Sequence, residues 1–376
     1  MNHTQPTIFK QRLLSLDALR GIVIVLMALD HASHAFNAGR YVTDSAAFYQ
    51  PGTAIPGLQF IIRWVTHICA PTFLFLSGWA LCLAIAKRQA MRESTQKLDL
   101  YVLTRGFILL LLDPFWMSLA FGYGIVFQVL YAIGASLCCM ILLRRLGTGL
   151  LLGISLGLLI FGEVLAGLAF WTGGGQQAGP LGALIVTGGR IGQSIFVLYP
   201  LLPWLAYMIL GWCVGRWVLD GRITSLPRLF LQAGVGSILI FMILRGLNGY
   251  GNMLLYRQGL SVLQWLHVSK YPPSLTFSSL ELGLMFLCLA ALWLWFKQRT
   301  GSNLNPLIVF GQTSLFFYIF HVHLLSGMAK LFDIYQKGSL AASMAATLGV
   351  LLVLYPLCFW YRRIRQTHSY RIFRYI

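Results

Sequence analysis

The sequence predicts an all-α protein, a polytopic transmembrane helix bundle of about ten spans with both termini cytoplasmic. Three observations carry this. First, 58% of the 376 residues are hydrophobic and 10% are charged, whereas soluble domains carry about 25% charged residues. Second, the apolar residues recur in runs of about 18–25, the length that crosses a hydrocarbon core as a helix. Third, Lys and Arg gather in alternate connections. With the N-terminus inside, nineteen of the 28 fall on the cytoplasmic side and seven outside, while Arg20 and Arg63 lie within spans. Lipid offers the backbone no hydrogen-bond partner, which makes the runs helices. Their continuous apolar character excludes a β-barrel. The net charge of +18 follows from the connections and forms no basic face, so nucleic acid is excluded as a partner.

In chain order, the spans are read at 14–36, 58–86, 104–121, 123–143, 149–171, 195–219, 231–247, 277–296, 306–327 and 340–361, all in one membrane domain, 1–376. The first follows Lys10 and Arg12, and Asp17 and Arg20 interrupt it, so it is expected to stay in place and not to be cleaved as a signal peptide. The second contains Pro71, and Asp113–Pro114 mark a kink in the third. The fourth ends on Arg144 and Arg145. The fifth carries Glu163 and the eighth Glu281, each expected to serve structure, proton handling or an arginine pair. The sixth and seventh close on Arg216 and Arg245. Arg362, Arg363, Arg365, Arg371 and Arg374 follow the tenth. Two outer segments are long, 37–57 and 248–276, and a third near 172–194 is Gly-rich. The seven cysteines lie inside apolar runs without a CxxC pair and read as small buried side chains.

The first span carries a polar stripe. Asp17, Arg20, Ile24, Met27, His31 and His34 are spaced 3, 4, 3, 4, 3, which at about 100° per residue keeps them on one helix face. Charge thus stands at the cytoplasmic end and imidazole toward the outer end. Charged groups at membrane depth normally face a bundle interior or a wet cavity. In the second span Arg63 and His67 share a face. In the ninth, Gly311, Ser314, Tyr318 and His321 share one, and His323 points elsewhere. His31, His34, His67, His321 and His323 all fall in the outer half, from three separate helices. Plainer readings stand beside these: Asp17 and Arg20 pair only with each other, His31 is a satisfied core histidine, and Arg63 snorkels to the outer interface.

Histidines with arginines in a membrane cavity suit general-base catalysis or proton-coupled transport. His31 and His34 could open a metal site, but no HExxH or Cys–His signature accompanies them, and no metal is expected.

Four blocks carry a family resemblance: LDALRGIVIVLMALDH (16–31), HICAPTFLFLSG (67–78), YPLLPWLAYMILGWCVGR (199–216) and FGQTSLFFYIFHVHLL (310–325). In this order they resemble bacterial relatives of the heparan-α-glucosaminide N-acetyltransferase catalytic domain, a multi-pass family first described as a domain of unknown function. More distantly they resemble the acyltransferase-3 family, whose LDxLRG-type block matches Asp17 and Arg20, with His31 in place of its outer histidine, and whose FFxLSG-type block is similar to Phe73–Gly78. At one point the chain departs from the glucosaminide pattern. That family sets its catalytic histidine in the first luminal loop, and 37–57 here contains none.

The resemblance implies acyl transfer, acetyl in the first instance, from cytoplasmic acyl-CoA to a sugar or glycan on the outer face of a bacterial inner membrane. Asp17 and Arg20 are then expected at the CoA end, with the arginine on its phosphates. His31 is the expected base, with His67 beside the thioester. Arg63 or His321 is expected to stabilise the oxyanion. Membrane lipid is the expected surround, and a homodimer is left open. The alternative is a proton-coupled transporter or channel built on the same histidines; the sequence has no evident inverted repeat of the kind such proteins use.

Overall fold

The computed structural model describes residues 4–46, 48–122, 124–175, 178–297 and 304–367. The chain opens with α1 (Thr4–Phe36), then α2 (Gly57–Trp64), α3 (Cys69–Ala90) and α4 (Thr95–Leu112), which runs into a π-helical turn at Asp113–Met117 and α5 (Ser118–Phe121). Next come β1 (Ile125–Phe127), α6 (Val129–Leu143), α7 (Thr148–Ile160), α8 (Gly162–Thr172), α9 (Pro180–Gly182), a second π turn (Ala183–Thr187), β2 (Gly189–Ile191) and β3 (Ile195–Val197). The remaining helices are α10 (Leu201–Leu219), α11 (Leu226–Leu247), α12 (Val262–Leu266), α13 (Leu275–Lys297), α14 (Pro306–Gln312), α15 (Ser314–Leu331) and α16 (Leu340–Thr367).

Seven of the described helical segments are long and apolar enough to cross a membrane, and α7 with α8, bent by 61°, makes up to eight. Each predicted span is helical over most of its length, with four corrections. The span read at 58–86 is interrupted by a turn at 65–68, between α2 and α3, and His67 sits in that turn. The span read at 195–219 opens as strand β3 and becomes helical only after Pro200, whose fixed φ suits the residue just before a helix. The span read at 123–143 opens as β1. The span read at 306–327 is interrupted at Thr313, whose φ of −122° leaves the helical region between α14 and α15. The kink expected at Asp113–Pro114 is the first π turn. Of the charges that placed the termini, the side chains of Lys10, Arg12 and Lys297, and Arg299, Arg371 and Arg374 entirely, lie outside the described residues.

Helix α1 is the axis of the bundle. It packs against α3, α13, α14, α15 and α16, so its polar stripe faces protein. The approach to α14 is close enough to require glycine: a Cβ on Gly311 would fall 1.8 Å from the Asp17 carbonyl oxygen, and one on Gly21 would fall 1.9 Å from that of Leu307.

The two long connections interlock at one end of the bundle. Arg245 is fully buried and organises the 248–267 stretch, donating to the Asn252 side chain at 2.6 Å and to the carbonyls of Leu255, Gln264 and His267 at 2.8, 2.7 and 2.5 Å. Tyr41 from the first connection meets His267 Nε2 at 2.9 Å, and Lys270 N donates to the Asp44 carbonyl at 2.8 Å. Beside them lies a small sheet ordered β1-β3-β2, with β1 parallel and β2 antiparallel to β3.

Candidate active site

Two of the stripe's predicted partners meet directly. His31 Nδ1 lies 2.7 Å from His321 Nε2, and the rings stack with centroids 5.0 Å apart. His321 Nδ1 lies 3.0 and 2.9 Å from the carbonyl oxygens of Phe317 and Tyr318. A carbonyl oxygen only accepts, so His321 Nδ1 carries its hydrogen and Nε2 is the acceptor. His31 must then donate through Nδ1, which leaves the Nε2 lone pair as the basic position of the ring. The order Nε2 lone pair, imidazole, imidazole, backbone carbonyl is the logic by which a buried partner fixes the tautomer of a catalytic histidine. Both ring nitrogens of His321 are thereby engaged, and neither is left to donate to an oxyanion.

Arg63 and His67 join a second cluster. Arg63 Nε donates to Asp44 Oδ2 at 2.9 Å and Nη1 to Asp30 Oδ1 at 2.7 Å, while Nη2 reaches Asp44 Oδ2 at 2.7 Å and the Tyr271 hydroxyl at 3.3 Å. His67 Nε2 reaches Asp44 Oδ2 at 3.1 Å, and its Nδ1 is buried without a partner. Arg40 adds a bond to Asp30 Oδ1 at 3.0 Å. Arg63 is therefore no snorkelling side chain: its fork is spent on two carboxylates and a phenol, a geometry that suits it to holding the site together. Burial pushes the Asp44 carboxyl upward, but the adjacent Arg63 guanidinium, the His67 hydrogen bond and the Lys270 charge outweigh it and hold it well below the ordinary aspartate range.

These groups border two cavities. The wider, about 380 Å³, is lined by Asp30, His31, His34, Arg40, Asp44 and Arg63, by aromatic rings of Phe48, Phe121, Phe196, Tyr199 and Tyr271, and by Arg190, Gln193 and Ser194 from the β2–β3 hairpin. That size and mix suit a small-molecule site with rings for apolar faces and polar groups for orientation. The narrower, about 30 Å³, shares Asp30, His31, Gln128 and Tyr199 with the first and continues along α1 to Met27. His67 lines neither cavity.

Asp17 and Arg20 stand fourteen and eleven positions from His31, about 21 and 16 Å along the helix at 1.5 Å per residue. They pair at 3.2 Å. Arg20 also reaches the Leu76 carbonyl at 3.4 Å, and Asp17 accepts from Gln312 Nε2 at 2.9 Å. Arg365 donates to the Gln312 carbonyl at 2.9 Å, and Arg105 and Arg365 lie within electrostatic reach of Arg20. This end of α1 is thus basic, with α4 and α16 contributing.

Several other expectations change. Glu163 accepts from the Gly251 amide at 2.6 Å, and Glu281 is buried near Lys270; neither forms an arginine pair. Asp113 accepts from the amides of Gln128 and Tyr131 at 2.8 and 2.7 Å, capping α6 and fixing where Gln128 enters the cavities. His323 packs on Trp116 with ring centroids 4.5 Å apart, away from the dyad. The sequence reading missed Asp30, Asp44, Arg40, Tyr199, Tyr271 and Gln128. Asp30 could have been found, as the neighbour of His31 about 100° around the helix. The others come from connections whose contacts follow no local period.

Among known proteins, the family model described as heparan-alpha-glucosaminide N-acetyltransferase, catalytic, matches residues 12–245, more than half the chain. No curated protein matches. The chain belongs to that family of membrane acetyltransferases.

Proposed function

We propose that this member of the acetyltransferase family moves an acetyl group from cytoplasmic acetyl-CoA to an amino sugar at the outer cavity of a bacterial inner membrane, with His31 as general base. The observation that carries the reading is the His31–His321 bond at 2.7 Å, oriented by the Phe317 and Tyr318 carbonyls. It leaves a basic nitrogen on a ring that borders both cavities.

The acceptor enters the wide cavity, where Tyr199, Tyr271 and Phe121 offer ring faces and Asp30, Asp44 and Gln128 offer polar groups. The CoA end lies at Arg20 and the neighbouring Arg105 and Arg365, which suit phosphate. The pantetheine arm runs along α1 past Ile24 and Met27, and its thioester arrives at His31. His31 Nε2 takes the proton of a neutral acceptor amine as its nitrogen attacks the thioester carbonyl. The C–S bond breaks, and the same proton passes to the departing CoA sulfur. The products are an N-acetyl sugar and free CoA, with no net proton consumed or released. Arg63, Asp44 and His67 hold the first outer connection against this centre.

The test is acetyl transfer from labelled acetyl-CoA to glucosamine by purified protein in detergent. His31→Ala is expected to lower kcat by about 10²–10⁴-fold, the ordinary worth of a general base, with folding intact. Wild-type turnover in that variant would refute the assignment.

A further inference from the structure

The narrow cavity contains a group that the scheme above does not use. Tyr318, on α15, is 4% exposed, and its hydroxyl is buried without a hydrogen-bond partner. A buried hydroxyl left unpaired costs about 1–3 kcal/mol, so the fold does not gain from it. The Tyr318 ring meets His31 edge-on with centroids 6.2 Å apart, and both side chains line the narrow cavity. Lys270 lines it as well, 3% exposed, adding positive charge. Met27, Ala70 and Phe73 give the wall its apolar part, while Asp30, whose carboxylate is tied to Arg63 and Arg40, and Gln128 line it as polar groups.

We infer that this cavity is the seat of the acyl group and that the Tyr318 hydroxyl donates to the thioester carbonyl oxygen. This rests on the function proposed above and adds the residue that meets the developing charge and the feature that selects the acyl chain. When the acceptor nitrogen attacks the carbonyl carbon, the carbonyl π pair moves onto oxygen. The Tyr318 O–H meets that charge, and Lys270 supports it. When the carbonyl re-forms, the C–S bond breaks, and the Tyr318 proton stays on Tyr318 throughout. A buried donor whose hydroxyl makes no bond to the protein is preorganised for this task.

Size sets the chain length. A cavity needs about 10–15 Å³ to hold one water, so about 30 Å³ holds two water-sized groups, a carbonyl oxygen and a methyl. Propionyl and butyryl groups need volume now filled by Met27 and Phe73. One additional methylene discriminates by about 10–200-fold, and the wild-type protein is expected to prefer acetyl- over propionyl-CoA in that range.

Two variants test this in purified protein with acetyl-, propionyl- and butyryl-CoA and glucosamine. Tyr318→Phe keeps the ring and removes an unpaired hydroxyl, so its melting temperature should equal or exceed that of the wild type. Its kcat with acetyl-CoA is expected to fall by about 10²–10³-fold, as when one oxyanion donor is removed, with KM for acetyl-CoA nearly unchanged. Phe73→Ala, at a half-buried position, is expected to bring propionyl-CoA within about tenfold of acetyl-CoA. Wild-type kcat in a folded Tyr318→Phe protein overturns the donor role. An unchanged acyl preference in Phe73→Ala overturns the seat. A wild-type protein that transfers no acetyl group removes the proposed function and this seat with it, whereas failure of the variants alone leaves that function standing.

Discussion

Replacing His321 by Ala isolates the contribution of the second imidazole. His31 Nδ1–H then loses its acceptor at 2.7 Å, while the Nε2 base and both cavities keep their linings. During transfer His31 is cationic, and a hydrogen bond from a charged group contributes about 1.5–3 kcal/mol. At about 1.36 kcal/mol per decade, kcat should fall by about 10–150-fold. Loss of the fixed tautomer and ring orientation adds to this, with the full worth of a general base, about 10⁴-fold, as the ceiling. The assay is initial-rate transfer from labelled acetyl-CoA at varied donor and acceptor concentrations. The loss should appear in kcat, with KM for acetyl-CoA moved little, because His321 lines neither cavity. His321→Gln, whose amide oxygen can accept from His31, should recover part of the rate. His321 is fully buried, so each variant is first checked by its melting transition. A folded His321→Ala protein with kcat within about threefold of wild type would refute the relay.

Two further outcomes are expected. Arg63→Leu leaves Asp44 and Asp30 without their shared counter-ion, and breaking a buried pair costs about 3–5 kcal/mol; the variant should melt markedly lower, and Arg63→Leu with Asp44→Asn should regain part of the loss. Gly311→Ala places a Cβ 1.8 Å from the Asp17 carbonyl, which α1 and α14 can relieve only by separating, so the yield of monodisperse protein in detergent should collapse, whereas Gly349→Ala, in open space on α16, should leave it unchanged.

The bundle was legible because lipid imposes long continuous runs, and every such run proved largely helical. The α1 stripe was legible because a period of 3.6 needs no knowledge of neighbours, and depth counting brought His31 and His321 to one level. Depth gave no partner, however: His67 and His31 share a level, yet His67 is turned to Asp44 and away from both cavities. Asp44 pairs with Arg63 nineteen residues on, across irregular chain that runs up to the start of α2, and no periodicity reaches across such a connection. The three-residue strands β1 and β3 were hidden inside apolar runs that read as helix. Tyr318 lay on the expected face of the ninth span, but only the cavity distinguishes its unpaired hydroxyl from an interfacial anchor.

The backbone carbonyls behind His321 have a consequence for vectorial chemistry. An amide oxygen is far too weak a base to take a proton from imidazole, so the pair of rings ends blindly at Phe317 and Tyr318. A proton that enters at His31 has one exit, the nitrogen through which it came. In the proposed function the dyad is a cul-de-sac that conducts nothing onward through the bundle, lending a proton to a bond-making event in the cavity and reclaiming it there. The membrane potential gains no purchase on such a round trip, and acetyl transfer at this centre should run at the same rate in energised and collapsed vesicles.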